Sequence, residues 1–479
     1  MPDCKAARLP LCIFFVLGTM NSTVAQVGPN HEGGNDGYRA QCNSAAPRAA
    51  IIACTRIIDD KREDSDGRVM ALQNRGYYYQ AIGDLDHSIA DYSTVLQFST
   101  GRTKAKIYLN LGLLYAQKGD QSNALISYGE ALNLDRKLAS AYINRAAIFI
   151  KRHDEDRALA DLDRAVLLTP KDHELYISRG SVYAHGGDQD RAIADFSKSI
   201  ALNPTNALAW RDRGFAYRNK GDSARAIADA SEAIRLDPGV ARAHLDLGLS
   251  LQATGDVKQA LVEFGKAIAL DPSDAQAFKA RGDAYVAEGD QDSGIADFSR
   301  AIALDPRMTG AYTNRGVAYM GKSDWSRTIP DFSQAIALDP SQSAAYLNRG
   351  QALRASGYTD RAIADFDETI RVQPDAIQAY VQRAFLRQKR GDNSGAVEDY
   401  SHAIALNPAD AEALRGRGYA RLNQHEYDRA IEDFTAAIAL NPSDALAFRF
   451  RSSAYAAKKE SNRAYNDDVK ARQLDRSAR

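Results

Sequence analysis

From about residue 69 onward the chain alternates between two kinds of amphipathic stretch, each spacing its apolar residues by three and four positions. The first places an aromatic or large apolar residue at position 4, a small one at 8 and usually another aromatic or apolar one at 11. Tyr312, Gly316 and Tyr319 are one example. The second places small and apolar residues at positions 20, 24, 27 and 28, as in Ala192, Phe196, Ser199 and Ile200. These intervals are the period of a helix with one buried face. A Gly-Asp turn separates the stretches, glycine suiting a helix end that needs positive φ. A closing Asp-Pro or Asn-Pro stops the second, because proline disfavours helix in the residue before it. The pattern predicts a helix–turn–helix unit in every copy.

Copies begin at residues 69, 105, 139, 173, 207, 241, 275, 309, 343, 377, 411 and 445. After a first step of 36, the spacing is 34 with no insertion or deletion through residue 478. Period and residue pattern together resemble the tetratricopeptide repeat, over residues 69–478. The resemblance implies an all-α fold, a right-handed α-solenoid (superhelix) of tandem 34-residue helix–turn–helix repeats. It also implies that the first helix of each pair lines a concave face.

Arginine stands at position 7 in ten of the twelve copies, and aspartate at position 23 in ten. Leu111 and Leu247 break the first rule; Ser127 and Glu263, in the same two copies, break the second. Such joint variation predicts contact within a copy, so Arg179 with Asp195, Arg213 with Asp229 and Arg281 with Asp297 are expected to be structural ion pairs. A half-buried guanidinium needs a partner, and its planar fork matches a carboxylate. One irregular copy, residues 309–342, replaces the turn glycine by Ser323 and puts Pro330 inside the second helix. It is expected to start that helix late or bend it, and to be a flexure point.

The first 25 residues differ in character. Lys5 and Arg8 precede an apolar run over residues 9–20, and Thr23 and Ala25 suit a cleavage site after Ala25, the layout of a secretory signal. A retained membrane anchor is the competing reading. Residues 26–37, rich in Gly and Asn, are expected to be a flexible leader, and 38–68 a degenerate helical cap. With the signal removed, Cys42 and Cys54 remain, and an exported chain would join them as a disulfide. Metal binding is the weaker alternative, since no histidine clusters near either. Asp468 and Arg472 replace the usual apolar residues of the last second helix, predicting a wettable terminal face.

Composition narrows the function. The formal net charge of −1 gives no electrostatic reason to expect nucleic acid. No hydrolase elbow, phosphate loop or zinc-helix motif occurs, so no enzyme, cofactor or metal is expected. Binding residues are sought on the concave face. Asn74, Asn110, Asn144, Asn314 and Asn348 at position 6 could form an amide ladder for an extended backbone. At position 5, Leu109, Ile143 and Ile177 predict an apolar early groove, while Arg211, Lys279, Arg415 and Arg449 predict a basic later one. Arg218 and Arg354, at position 12, add to the latter. Chaperone-binding members of the family combine Lys at position 5 with Asn at position 9, which no copy here does, Lys279 being followed by Asp283. The expectation is an exported scaffold, periplasmic if bacterial, holding a peptide or protein segment, with no membrane span once the signal is removed. The alternatives are an assembly factor using its convex surface, or a carrier or enzyme acting on a polymer such as glycan. Oligomeric state is not legible.

Overall fold

The computed structural model describes residues 36–43 and 46–477. Among the described residues all regular structure is helical. The expected signal peptide and the leader up to residue 35 lie outside them. Asp36 and Gly37, expected as leader, open a helix, Asp36–Cys42.

The chain divides into two compact units, one ending at Gly255 and the other beginning at Asp256. In the first, helices pair as hairpins and each hairpin packs on the next, from Asp36–Cys42 with Pro47–Asp59 up to Ala241–Ala253. In the second, the same arrangement runs from Val257–Leu270 to Ser461–Ser477. A typical copy consists of Ala207–Asn219 and Ser223–Leu236.

The turn between the two helices is set by backbone conformation. Its glycine is left-handed, as at Gly221 (φ 79°) and Gly289 (φ 89°). Where another residue stands there, the backbone keeps the same hand: His153, Ser323, His425 and Lys459 have φ of 56–64°. The hairpin thus imposes a conformation that a side chain disfavours. The next residue caps the second helix, as when the Arg225 amide donates to Asp222 Oδ1 at 3.1 Å. Tyr358 and Glu426 occupy the cap position without accepting such a bond.

The small residue at position 8 is a steric requirement. A Cβ on Gly282 would lie 2.7 Å from the Phe298 ring, and one on Gly418 2.7 Å from Phe434. Both rings are buried, so each bare glycine lets its second helix press an aromatic against the first.

Pro330 leaves its helix intact, correcting the expected late start. The helix spans Trp325–Leu338, fourteen residues like its neighbours. Asp324 caps it, accepting from Ser326 Oγ at 2.7 Å and from the Arg327 amide at 3.2 Å. The proline removes only the backbone donor that would face the Ser326 carbonyl.

At the N-terminal end, Cys42 and Cys54 are joined by a disulfide, and both are buried with Ala53, Ile57 and Ala71. The first helix of the 69 copy begins earlier than the pattern predicts, at Ser65, because Asp64 caps it by accepting from the Gly67 amide at 2.6 Å. The expected cap boundary at residue 68 therefore falls inside a helix. At the other end Asp468 and Arg472 face water and pair with each other at 2.7 Å.

Candidate binding groove

Each first helix has two working faces. Position 7 points into the hairpin, and all ten arginines there grip the position 23 aspartate of their own copy through two parallel bonds. Arg213 donates from Nε to Asp229 Oδ2 at 2.7 Å and from Nη2 to Asp229 Oδ1 at 2.8 Å. Arg179 with Asp195 and Arg281 with Asp297 repeat this geometry at 2.7–2.8 Å. So do Arg75, Arg145, Arg315, Arg349, Arg383, Arg417 and Arg451 with their aspartates. The guanidinium also lies against the aromatic residues at positions 4 and 11, with Arg213 4.8 Å from the Trp210 ring and 5.8 Å from the Tyr217 ring. The Asp229 hydrogen bonds hold the Arg213 pKa above its ordinary value despite the opposing effect of burial.

A third bond was not foreseen from the sequence. Nη1 of the same arginine reaches back to position 25 of the preceding copy: Arg213 to Ser197 Oγ at 3.1 Å, Arg315 to Ser299 at 2.9 Å and Arg349 to Ser333 at 3.0 Å. Asp163 and Asp367 accept it from Arg179 and Arg383, both at 2.6 Å. For Arg145 and Arg281 no such bond forms, because the preceding position 25 is Gly129 or Gly265. The arginine is thus a three-way joint, closing its own hairpin and tying it to the one before.

At 100° per residue, positions 2, 5, 6, 9, 12 and 13 lie within about 60° of a common direction, which points away from position 7. In the first unit this face is largely self-packed. Ile177 is buried and clusters with Ala184 and Phe215, while Leu109 and Ile143 are half-buried. The expected free cation at Arg211 is corrected: the side chain is buried and donates to Asp212 Oδ1 from Nε at 2.9 Å and Nη2 at 2.5 Å. Burial pushes the Asp212 carboxyl up, and Arg211 opposes that shift. Arg218 is committed as well, with Nη2 3.5 Å from Asp246 Oδ1.

The second unit corrects the expected basic stretch in the same way. Lys279 pairs with Asp283 at 2.6 Å, Arg415 with Asp444 at 2.5 Å and Arg449 with Asp475. Arg354 and Arg449 are both exposed, and of the two Arg354 has no carboxylate pairing to it among the described residues. The amides are mostly engaged too. Asn74 donates to Asn43 Oδ1 at 2.9 Å, Asn144 to the Ser140 carbonyl at 2.8 Å and Asn314 to Asp283 Oδ1 at 2.5 Å. Asn110 bonds the Tyr92 side chain. A ladder open to a guest is thereby reduced to Asn348, which is half-buried on the same helix as Arg354.

No group of three His, Cys, Asp or Glu side chains is placed to hold a metal among the described residues, and no described helix is long and apolar enough to cross a membrane. Tandem hairpins held by internal ion pairs define a helical repeat scaffold. Three family models, each described as tetratricopeptide repeat, match the chain. One covers residues 105–138, one 145–209, and one the segments 190–241, 211–275, 245–309, 313–377, 381–445 and 417–467. The chain belongs to the tetratricopeptide repeat family, whose repeats mediate protein and peptide binding. No curated protein is matched by the sequence. Among solved structures, the chain is similar to MamA at 27% identity over 34% of this chain and 94% of that one, with a TM-score of 0.31. YrrB, titled a TPR protein with an unusual peptide-binding site, is 23% identical over 38% of this chain and 95% of its own, with a TM-score of 0.32. The Cut9–Hcn1 structure matches over 88% of this chain and 96% of its own at 13% identity, with a TM-score of 0.41.

Proposed function

We propose that this chain is an exported scaffold that holds a peptide or protein segment along the inner faces of its first helices. The observation that carries this reading is the contrast between the two faces of those helices. Position 7 repeats one arrangement ten times, so it cannot distinguish one guest from another. Positions 5, 6, 9 and 12 change from copy to copy and supply the chemical variety that recognition needs. Support for export comes from Lys5, Arg8 and the apolar run over residues 9–20, together with a disulfide of the kind that persists in oxidising compartments. In a bacterium that compartment is the periplasm.

A photocrosslinking residue tests the groove directly. Placed at Asn348, on the inner face, it should capture a polypeptide in exported fractions. Placed at Leu167, which is 71% exposed on a second helix, it should not. Capture from Leu167 alone would favour an assembly factor acting through its convex surface.

A further inference from the structure

We infer that Arg354, Phe385 and Lys389 form a binding site for an acidic peptide segment carrying an apolar side chain beside its carboxylates. This rests on the groove reading above and adds the chemistry of the guest.

The first helices Thr309–Gly321, Ser343–Ala355 and Ile377–Lys389 contain no aspartate or glutamate. They carry six cations. Four of these are held by aspartates of second helices: Arg315 by Asp331, Arg349 by Asp365, and Arg383 and Arg387 by Asp399. Arg354 and Lys389 remain, both exposed and without a carboxylate partner among the described residues. They come from different helices and converge on one ring. The Arg354 guanidinium lies 5.7 Å from the Phe385 centroid, and Lys389 Nζ lies 4.7 Å from it.

Phe385 is one of the few large apolar side chains exposed on a first helix, at 37%. Its ring holds the two cations beside an apolar platform. Position 9 thus offers a surface for an apolar side chain, and positions 12 and 13 offer charge for the acids around it. This differs from a clamp built on positions 5 and 9, where the cations of this chain already have internal partners. A polyanion such as nucleic acid needs a longer row of free cations to release its counterions. Two cations around an aromatic ring fit a short acidic motif better.

The test uses the full chain and fluorescence anisotropy with a labelled peptide of Glu-Glu-Leu-Glu units, against the same peptide with Gln for Glu. The Glu peptide should bind, more weakly as salt rises, and the Gln peptide should bind about tenfold more weakly or worse. Arg354→Glu with Lys389→Glu should reduce affinity for the Glu peptide by about tenfold or more. If that pair lowers the melting temperature, Arg354→Gln with Lys389→Gln replaces it, with a smaller loss expected. Phe385→Ala should weaken binding several-fold and leave the salt dependence unchanged. Wild-type affinity in the charge variants would overturn the site, as would equal competition by a single-stranded oligonucleotide. Binding of neither peptide would overturn it too. The groove reading itself would fall only if the crosslinker at Asn348 also captured nothing.

Discussion

Arg213 shows why a charged residue can occupy a position where the family's repeat usually has an apolar one. Each of its three nitrogens donates a hydrogen bond, two to Asp229 and one to Ser197, while aromatic rings lie against the guanidinium. Removing the carboxylate leaves a half-buried cation with nothing to balance it. Asp229→Ala should therefore cost about 3 kcal/mol in urea unfolding. Replacing Arg213 and Asp229 together by Leu should recover most of that loss, since the copies at 105 and 241 already carry Leu111 and Leu247 at the arginine position. An unchanged unfolding midpoint in Asp229→Ala would remove the case for a stabilising pair. The pairing was legible in the sequence because Leu111 with Ser127, and Leu247 with Glu263, break both rules together. The third bond was not read: Gly129 and Gly265 face Arg145 and Arg281 of the following copies, which keep their arginines, so no joint variation marks it.

Between neighbouring hairpins the joint depends on position 25. A Cβ added at Gly265 would meet nothing within 4 Å, so a serine fits there without displacing a neighbour. Gly265→Ser should stabilise the chain by about 1–2 kcal/mol, part from helix propensity and part from a new bond to Arg281. Gly265→Ala isolates the propensity share. If Gly265→Ser falls short of Gly265→Ala by the ~0.5 kcal/mol propensity gap between serine and alanine, the Arg281 bond contributes nothing. Groove chemistry was less legible at this scale than the hairpin itself. Helical period and turn residues are local signals. The partner of Arg415 is Asp444, at the far end of its own copy where it caps the next first helix, and that of Arg211 is its own neighbour Asp212, so the cations look free until side-chain directions are known. Phe385 and Lys389 were passed over for the same reason: only their convergence with Arg354 distinguishes them from scattered surface residues.

Across the whole molecule, the caps form a distributed acid-sensitive set. Asp120, Asp154, Asp188 and Asp222 in one unit, and Asp290 and Asp324 in the other, have carboxyls held below the usual range by bonds from residues of the helices they start. Asp324 is held down to about 2, by Ser326 first and Arg327 next. A depressed folded value means the contribution is complete above the unfolded value, near pH 4, and is lost as pH falls through the folded one. Helical circular dichroism should hold at about pH 5 and decline together in both units between about pH 4 and 2. A flat signal across that window would show that the caps do not govern acid stability.

The backward-reaching bond also bears on how such chains change length. Arg315 meets Ser299, and Arg349 meets Ser333, each across 16 residues. Excising residues 309–342 in frame would present Ser299 to Arg349 at that same separation. The splice reproduces the joint it removes. Duplication or loss of an ordinary copy in a gene therefore leaves every seam chemically matched, and only junctions involving the copies at 105 and 241 would register the event.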